Sequence, residues 1–120
     1  MPELTGVWTI ATRVETSSVN SFEGLQLGYY VNLQQNGNTI TGTGRKVSEN
    51  GRMLGRAGQT PIALQGTVDG DAVVLNFSEA GTRRRSSGTF ILTRAGSDAL
   101  QGRFSSDAAR SSGTVEVRRR

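Results

Sequence analysis

The sequence contains no cysteine and no histidine. The first absence removes disulfides, thiolate nucleophiles and Cys-ligated metals. The second removes imidazole ligation of haem, the usual zinc sites and the His-based triads. Proline occurs only twice, tryptophan once and lysine once, at Lys46, in 120 residues. No apolar stretch approaches the ~20 residues that a membrane helix needs, and no charged-then-apolar leader precedes Thr5. These features predict a soluble chain, either cytoplasmic or a mature form whose leader has been removed, with no membrane span, no metal site and no cofactor. They also exclude His- or Cys-based catalysis.

What is present is glycine, at 16 positions, set among short and regular runs of Val, Ile, Leu and Phe. The length supports one domain over residues 1–120 and leaves no room for a second core of useful size. Alternation with period two dominates, and helical periodicity is absent. Residues 6–14 place Trp8, Ile10, Thr12 and Val14 on one face. Residues 25–35 place Leu25, Leu27, Tyr29, Val31 and Leu33 on one face and Gln26, Gly28, Tyr30, Asn32 and Gln34 on the other. Residues 38–47 return with Ile40, Gly42, Gly44 and Lys46 inward. Five further inward sets follow: Ile62, Leu64, Gly66 and Val68; Val73, Leu75, Phe77 and Glu79; Phe90, Leu92 and Arg94; Leu100, Gly102 and Phe104; and Val115, Val117 and Arg119.

The links between these eight strands alternate in length. Asn36-Gly37-Asn38, Asp69-Gly70-Asp71 and Ala95-Gly96-Ser97-Asp98 are tight, and the first two carry the glycine that a two-residue hairpin requires. The links at 15–24, 48–61, 79–88 and 105–113 are long. In an up-and-down meander, successive links fall on opposite ends, so the long ones gather at one mouth and the tight ones at one floor. Gly42, Gly66, Gly88, Gly102 and Gly113 recur inside strands, each flanked by small or polar residues, where glycine marks bends or close backbone approach. The expected fold is therefore an all-β, eight-stranded antiparallel up-and-down barrel, with an open sandwich as the competitor.

Leu4-Thr5-Gly6-Val7-Trp8-Thr9, together with the Gly-Asn-Thr-Ile-Thr-Gly-Thr segment at 37–43, resembles the calycin barrels: the lipocalin, fatty-acid-binding-protein and avidin families, whose first strand begins Gly-x-Trp. The resemblance implies a Trp plugging the closed end, covered by an Arg from near the last strand. Parity assigns those places to Trp8 and Arg119. The alternative is that Arg119 frays into solvent. Avidins carry an Asn two residues after that Trp and line the pocket with further Trp residues. Ile10 occupies the first position and Trp8 is the only Trp, which argues against biotin, and a haem-binding calycin would need an axial His.

The inward set near the mouth comprises Val14, Leu25, Leu27, Tyr29, Phe77 and Phe104, with Thr12, Lys46 and Glu79 as polar points. That is the composition of a small-ligand pocket. The inward glycines either leave room for a ligand or let the barrel narrow until its phenylalanines fill it, since eight strands are just wide enough for either. Lys46 and Glu79 form a rim ion pair, or else Lys46 holds a carboxylate or enolate and a partly buried Glu79 serves as an acid or base, with Tyr29 donating a hydrogen bond. Arg52 and Arg56 in one loop, and Arg84 between Arg83 and Arg85 in another, are either solvated charges or a clamp for an anionic ligand. The 48–61 link, with three glycines, is a candidate lid.

The net charge of +4 raises nucleic acid as a partner. The mouth loops nearly balance, however, with Arg52, Arg56, Arg83, Arg84, Arg85 and Arg110 against Glu15, Glu23, Glu49, Glu79 and Asp107. Much of the excess sits at Arg118-Arg119-Arg120. The leading expectation is a barrel that binds a small apolar or amphipathic, even anionic, molecule at its mouth. The alternatives are a natural-product cyclase acting by shape through Tyr29, Lys46 and Glu79, and an interaction barrel using Tyr30, Asn32 and Ile91. Whether the chain is a monomer or a homo-oligomer is left open by these features.

Overall fold

The computed structural model describes residues 3–81 and 85–120. Among them are nine strands: β1 (Gly6–Thr16), β2 (Gln26–Asn36), β3 (Thr39–Glu49), the two-residue β4 (Arg52–Met53), β5 (Pro61–Asp69), β6 (Ala72–Ala80), β7 (Arg85–Arg94), β8 (Ala99–Ser106) and β9 (Ser111–Arg119). All pairings are antiparallel. The ring runs β1-β2-β3-β5-β6-β7-β8-β9, and β9 pairs back onto β1. β4 folds against the end of β3, outside the ring. The architecture is a closed eight-stranded up-and-down barrel, calycin-like in fold, and closure leaves no long sheet edge exposed.

Alternation explains most of the ring. Along β5, Ile62, Leu64 and Val68 are buried while Ala63, Gln65 and Thr67 face solvent. The hairpin turns are Gly37-Asn38, between the paired Asn36 and Thr39, and Gly70-Asp71, between the paired Asp69 and Ala72. The φ is 62° at Gly37 and 61° at Gly70, and only this first central residue is left-handed. That is the glycine-first form of the two-residue hairpin and not the expected Asn-Gly form with both residues left-handed. Two of the four links expected to be long are shorter than the spacing suggests. β6 continues to Ala80 and β7 begins at Arg85, while β8 continues to Ser106 and β9 begins at Ser111. The inward positions there are Glu79, Ser86, Ser106 and Ser111, so strand structure persists without an apolar alternation to announce it.

Two register shifts break the simple parity. Opposite Gly28 and Tyr29 on β2, β3 carries an extra residue, Val47, and opposite Gly113 and Ser112 on β9, β1 carries Glu15. A bulge of this kind re-aims neighbouring side chains and sharpens the twist. Val47, the extra residue, is buried but lies outside the core packed within the barrel, and Lys46 is half-buried.

The floor is solid. Trp8 is fully buried, and its indole N–H donates to the Leu4 carbonyl at 2.8 Å. Leu4, also fully buried, lies across the closed end, where its backbone N–H donates a hydrogen bond to Gln35 Oε1 at 2.9 Å. The Arg119 guanidinium sits 4.4 Å from the Trp8 ring centre, a contact that contributes roughly 0.5–2 kcal/mol. The same group donates to the carbonyls of Glu3 (2.8 Å) and Thr5 (3.0 Å) and to the Asp98 carboxylate (2.8 Å). Gly6 belongs to this arrangement: its φ is +142°, and a Cβ there would stand 3.0 Å from Arg119 Nη1. Gly6, the first residue of β1, thus leaves the space in which the arginine closes over the ring.

Gly66 shows what the strand glycines do. A Cβ on it would overlap the Val74 carbonyl oxygen of β6 and lie 2.8 Å from that carbonyl carbon. These atoms are backbone and cannot swing aside, so the glycine permits the close strand approach of a narrow barrel. Gly66→Ala is expected to lower stability by about 1–3 kcal/mol through overpacking. The measurement is a shift of the denaturant midpoint with an unchanged slope.

Candidate functional site

Above the filled floor, at the end bearing the 17–25 and 107–110 links, the barrel holds a cavity of about 110 Å³. β1 contributes Thr12 and Val14, β6 contributes Phe77 and Glu79, and β7 contributes Ser86 and Phe90. Leu27 and Tyr29 of β2, Phe104 and Ser106 of β8 and Ser111 of β9 complete the wall, and Phe22, Leu25 and Ala108 reach over it from the links. All four phenylalanines of the chain line this space. Phe77 and Phe90 stack with ring centres 4.7 Å apart. Gly88, the cross-strand neighbour of Phe77, makes this possible, because a Cβ there would lie 2.6 Å from the ring.

The polar side of the cavity is organised by Glu79. Its Oε1 accepts a hydrogen bond from the Tyr29 hydroxyl at 3.1 Å, and its Oε2 accepts one from Thr60 Oγ1 at 2.7 Å. Lys46 Nζ lies 3.5 Å from the same Oε2. Four chain segments supply these groups: β2, β3, the residue before β5, and β6. The Lys46 amide also donates to the Thr60 carbonyl at 2.9 Å, which extends the β3–β5 ladder past Pro61 and fixes Thr60 beneath the carboxylate. A buried carboxylate with three partners meets the requirement that buried charge be paired and hydrogen-bonded.

Burial first, then the adjacent Glu79 charge and the hydrogen bond to it, push the Tyr29 phenol far above its ordinary value of 10.0. The sign of the consequence follows. Below that ordinary value the phenol is neutral both folded and unfolded, and its contribution to stability is fully present. Above it, the unfolded chain loses the proton while the folded chain keeps it, so stability falls as pH rises. Denaturant midpoints should therefore decline above about pH 10, and Tyr29→Phe should flatten that part of the profile.

Of the candidate residues, Thr12, Leu25, Leu27, Tyr29, Phe77, Glu79 and Phe104 share the cavity. Lys46 stands behind Glu79 and is not part of the lining. Arg52, on β4, and Arg56, in the short 3₁₀ turn Arg56–Gly58, are exposed and away from the lining. Arg84 lies outside the described residues. The 48–61 link does not form the lid: it folds back on β3 through β4, and the covering residues Phe22 and Ala108 come from the neighbouring links. Thr60 and Phe22 are additions that sequence reasoning missed. Thr60 has a signal, since it stands two residues before Ile62 with the same inward parity. Phe22 has only its isolation as an aromatic in a polar link.

No protein-family model matches the sequence, and no curated protein matches it. Solved structures do resemble it. A redesigned β-barrel, mFAP0, bound to DFHBI, superimposes with a TM-score of 0.70 at 12% identity over 97% of this chain and 98% of that one. A second, mFAP1, also bound to DFHBI, gives 0.69 at 12% identity, covering 98% and 94%. A de novo designed fluorescence-activating β-barrel gives 0.68 at 15% identity, again covering 98% and 94%. At these identities the likeness is one of fold.

Proposed function

We propose that this single barrel domain binds a small, mainly apolar molecule in the cavity at its loop-bearing end, as a member of the broad calycin group. One observation carries the reading: the chain's four phenylalanines converge on one space above a floor that is otherwise filled. A core needing only stability would be expected to spread its rings and close the gap, because an empty apolar space forfeits packing on every lining atom. The designed barrels of the same fold, two of them bound to the dye DFHBI, support the reading, since a barrel of this architecture has room for a small molecule.

Titration with small uncharged one-ring guests, benzene and toluene, matched to a cavity of about 110 Å³, tests the reading. Saturable NMR shifts of the lining residues are expected, lost on Phe104→Trp, which fills the space. No saturable response from any probe, in a chain shown to be folded, would end the proposal.

A further inference from the structure

We propose that the cavity takes a one-ring aromatic molecule carrying an uncharged hydrogen-bond donor, a phenol or an aryl alcohol, whose hydroxyl donates to Glu79. This rests on the ligand-binding reading above and narrows it.

Volume sets the first limit. A cavity of about 110 Å³ is smaller than the roughly 150 Å³ that houses a benzene in an apolar protein core. One ring, tilted toward the open mouth, fits it; a fused polycycle does not. The walls set the second limit. Phe77, Phe90, Phe104 and Phe22 offer faces and edges to a planar guest, and aromatic pairs add attraction beyond their area.

Hydrogen-bonding capacity sets the third. Among the described residues, Glu79 is the only charged group of the lining. A carboxylate has about four acceptor positions. Oε2 receives Thr60 and Lys46, and Oε1 receives Tyr29 alone, which leaves one acceptor position on Oε1. An incoming O–H matches it. A ligand carboxylate would meet like charge, and Lys46, already bound to Glu79, stands off the lining. A ligand ammonium would bring an uncompensated charge into apolar surroundings, because Lys46 already offsets Glu79. The hydroxyls of Thr12 and Ser86, both lining the space, have no partner among the described residues and accommodate further ring substituents.

The test uses four probes of one shape: toluene, p-cresol, p-toluate and 4-methylbenzylamine, titrated at neutral pH and followed by NMR shifts and calorimetry. The expected result is saturable binding of p-cresol about tenfold tighter than toluene, with neither charged probe binding. Glu79→Gln, a weaker acceptor, should lower p-cresol affinity several-fold and leave toluene unchanged. Tyr29→Phe vacates a second position on Oε1 and should raise p-cresol affinity relative to toluene, which keeps the test decisive if Glu79→Gln fails to fold. Equal affinity for toluene and p-cresol, binding of either charged probe, or no gain for p-cresol in Tyr29→Phe would overturn the inference and leave the apolar cavity standing. Binding of none of the four would remove both.

Discussion

Replacing Trp8 with alanine is expected to lower the unfolding free energy by about 3–5 kcal/mol, the range for removing a large buried aromatic. Domains of this size hold only about 5–15 kcal/mol in total, so a substantial unfolded fraction should appear at ambient temperature. The indole is wholly enclosed, its N–H satisfies the Leu4 carbonyl, and the Arg119 guanidinium stands 4.4 Å from its ring centre. Truncation therefore opens a void beneath the closed end, orphans a buried acceptor and removes the surface on which the guanidinium rests. Trp8→Phe separates these terms: the void shrinks, but the Leu4 carbonyl stays unpaired, and roughly 1–3 kcal/mol is the expected loss. Arg119→Met keeps the aliphatic cover and removes the charge together with its bonds to the Glu3 and Thr5 carbonyls. Unfolding should be followed by far-UV circular dichroism, because the tryptophan signal leaves with the residue. A Trp8→Ala protein within about 1 kcal/mol of the parent would show that the floor is not where the barrel is held.

The second large effect is expected at Phe90. It is 1% exposed, stacks on Phe77, and lines the cavity. Phe90→Ala should also lose about 3–5 kcal/mol, with a different signature from Trp8→Ala. The vacated volume joins an existing cavity, so a guest can recover part of the loss. Binding that favours the folded state by RT ln(1 + [L]/Kd) raises the denaturant midpoint as ligand concentration rises. The variant should be rescued by a two-ring phenol such as 2-naphthol, while the parent protein gains nothing from it. Trp8→Ala should show no such rescue, because its void lies under the floor and away from the mouth. Failure of any aromatic ligand to shift the Phe90→Ala midpoint would mean that the vacated space collapses instead of extending the cavity.

The barrel was legible because its signals are local. A strand's pleat forces side chains to alternate, so Ile62, Leu64 and Val68 declare their face without reference to any partner. Gly37 and Gly70 announce hairpins because a two-residue turn needs positive φ at its first central residue, although the turns fall one residue later than the Asn-Gly and Asp-Gly pairs suggest. Where the inward residues turn polar, at Glu79, Ser86, Ser106 and Ser111, the strands continue but the pattern falls silent. Links that seem long along the chain are therefore partly strand.

The candidate site divides along the same line. Parity was enough to place Thr12, Tyr29, Phe77, Glu79 and Phe104 on the inner wall. What the sequence by itself determined is the alternating ribbon, its hairpins and the direction in which most of its side chains point. Only the tertiary structure decided that Thr60 and Lys46 converge with Tyr29 on one carboxylate, that Val47 is buried, and that Phe22 of the β1–β2 link covers the cavity. Those outcomes depend on how strands are offset around a closed ring, and one extra residue at a bulge changes them. Pairing of that kind is a property of neighbours brought together by closure, and a one-dimensional pattern carries no record of it.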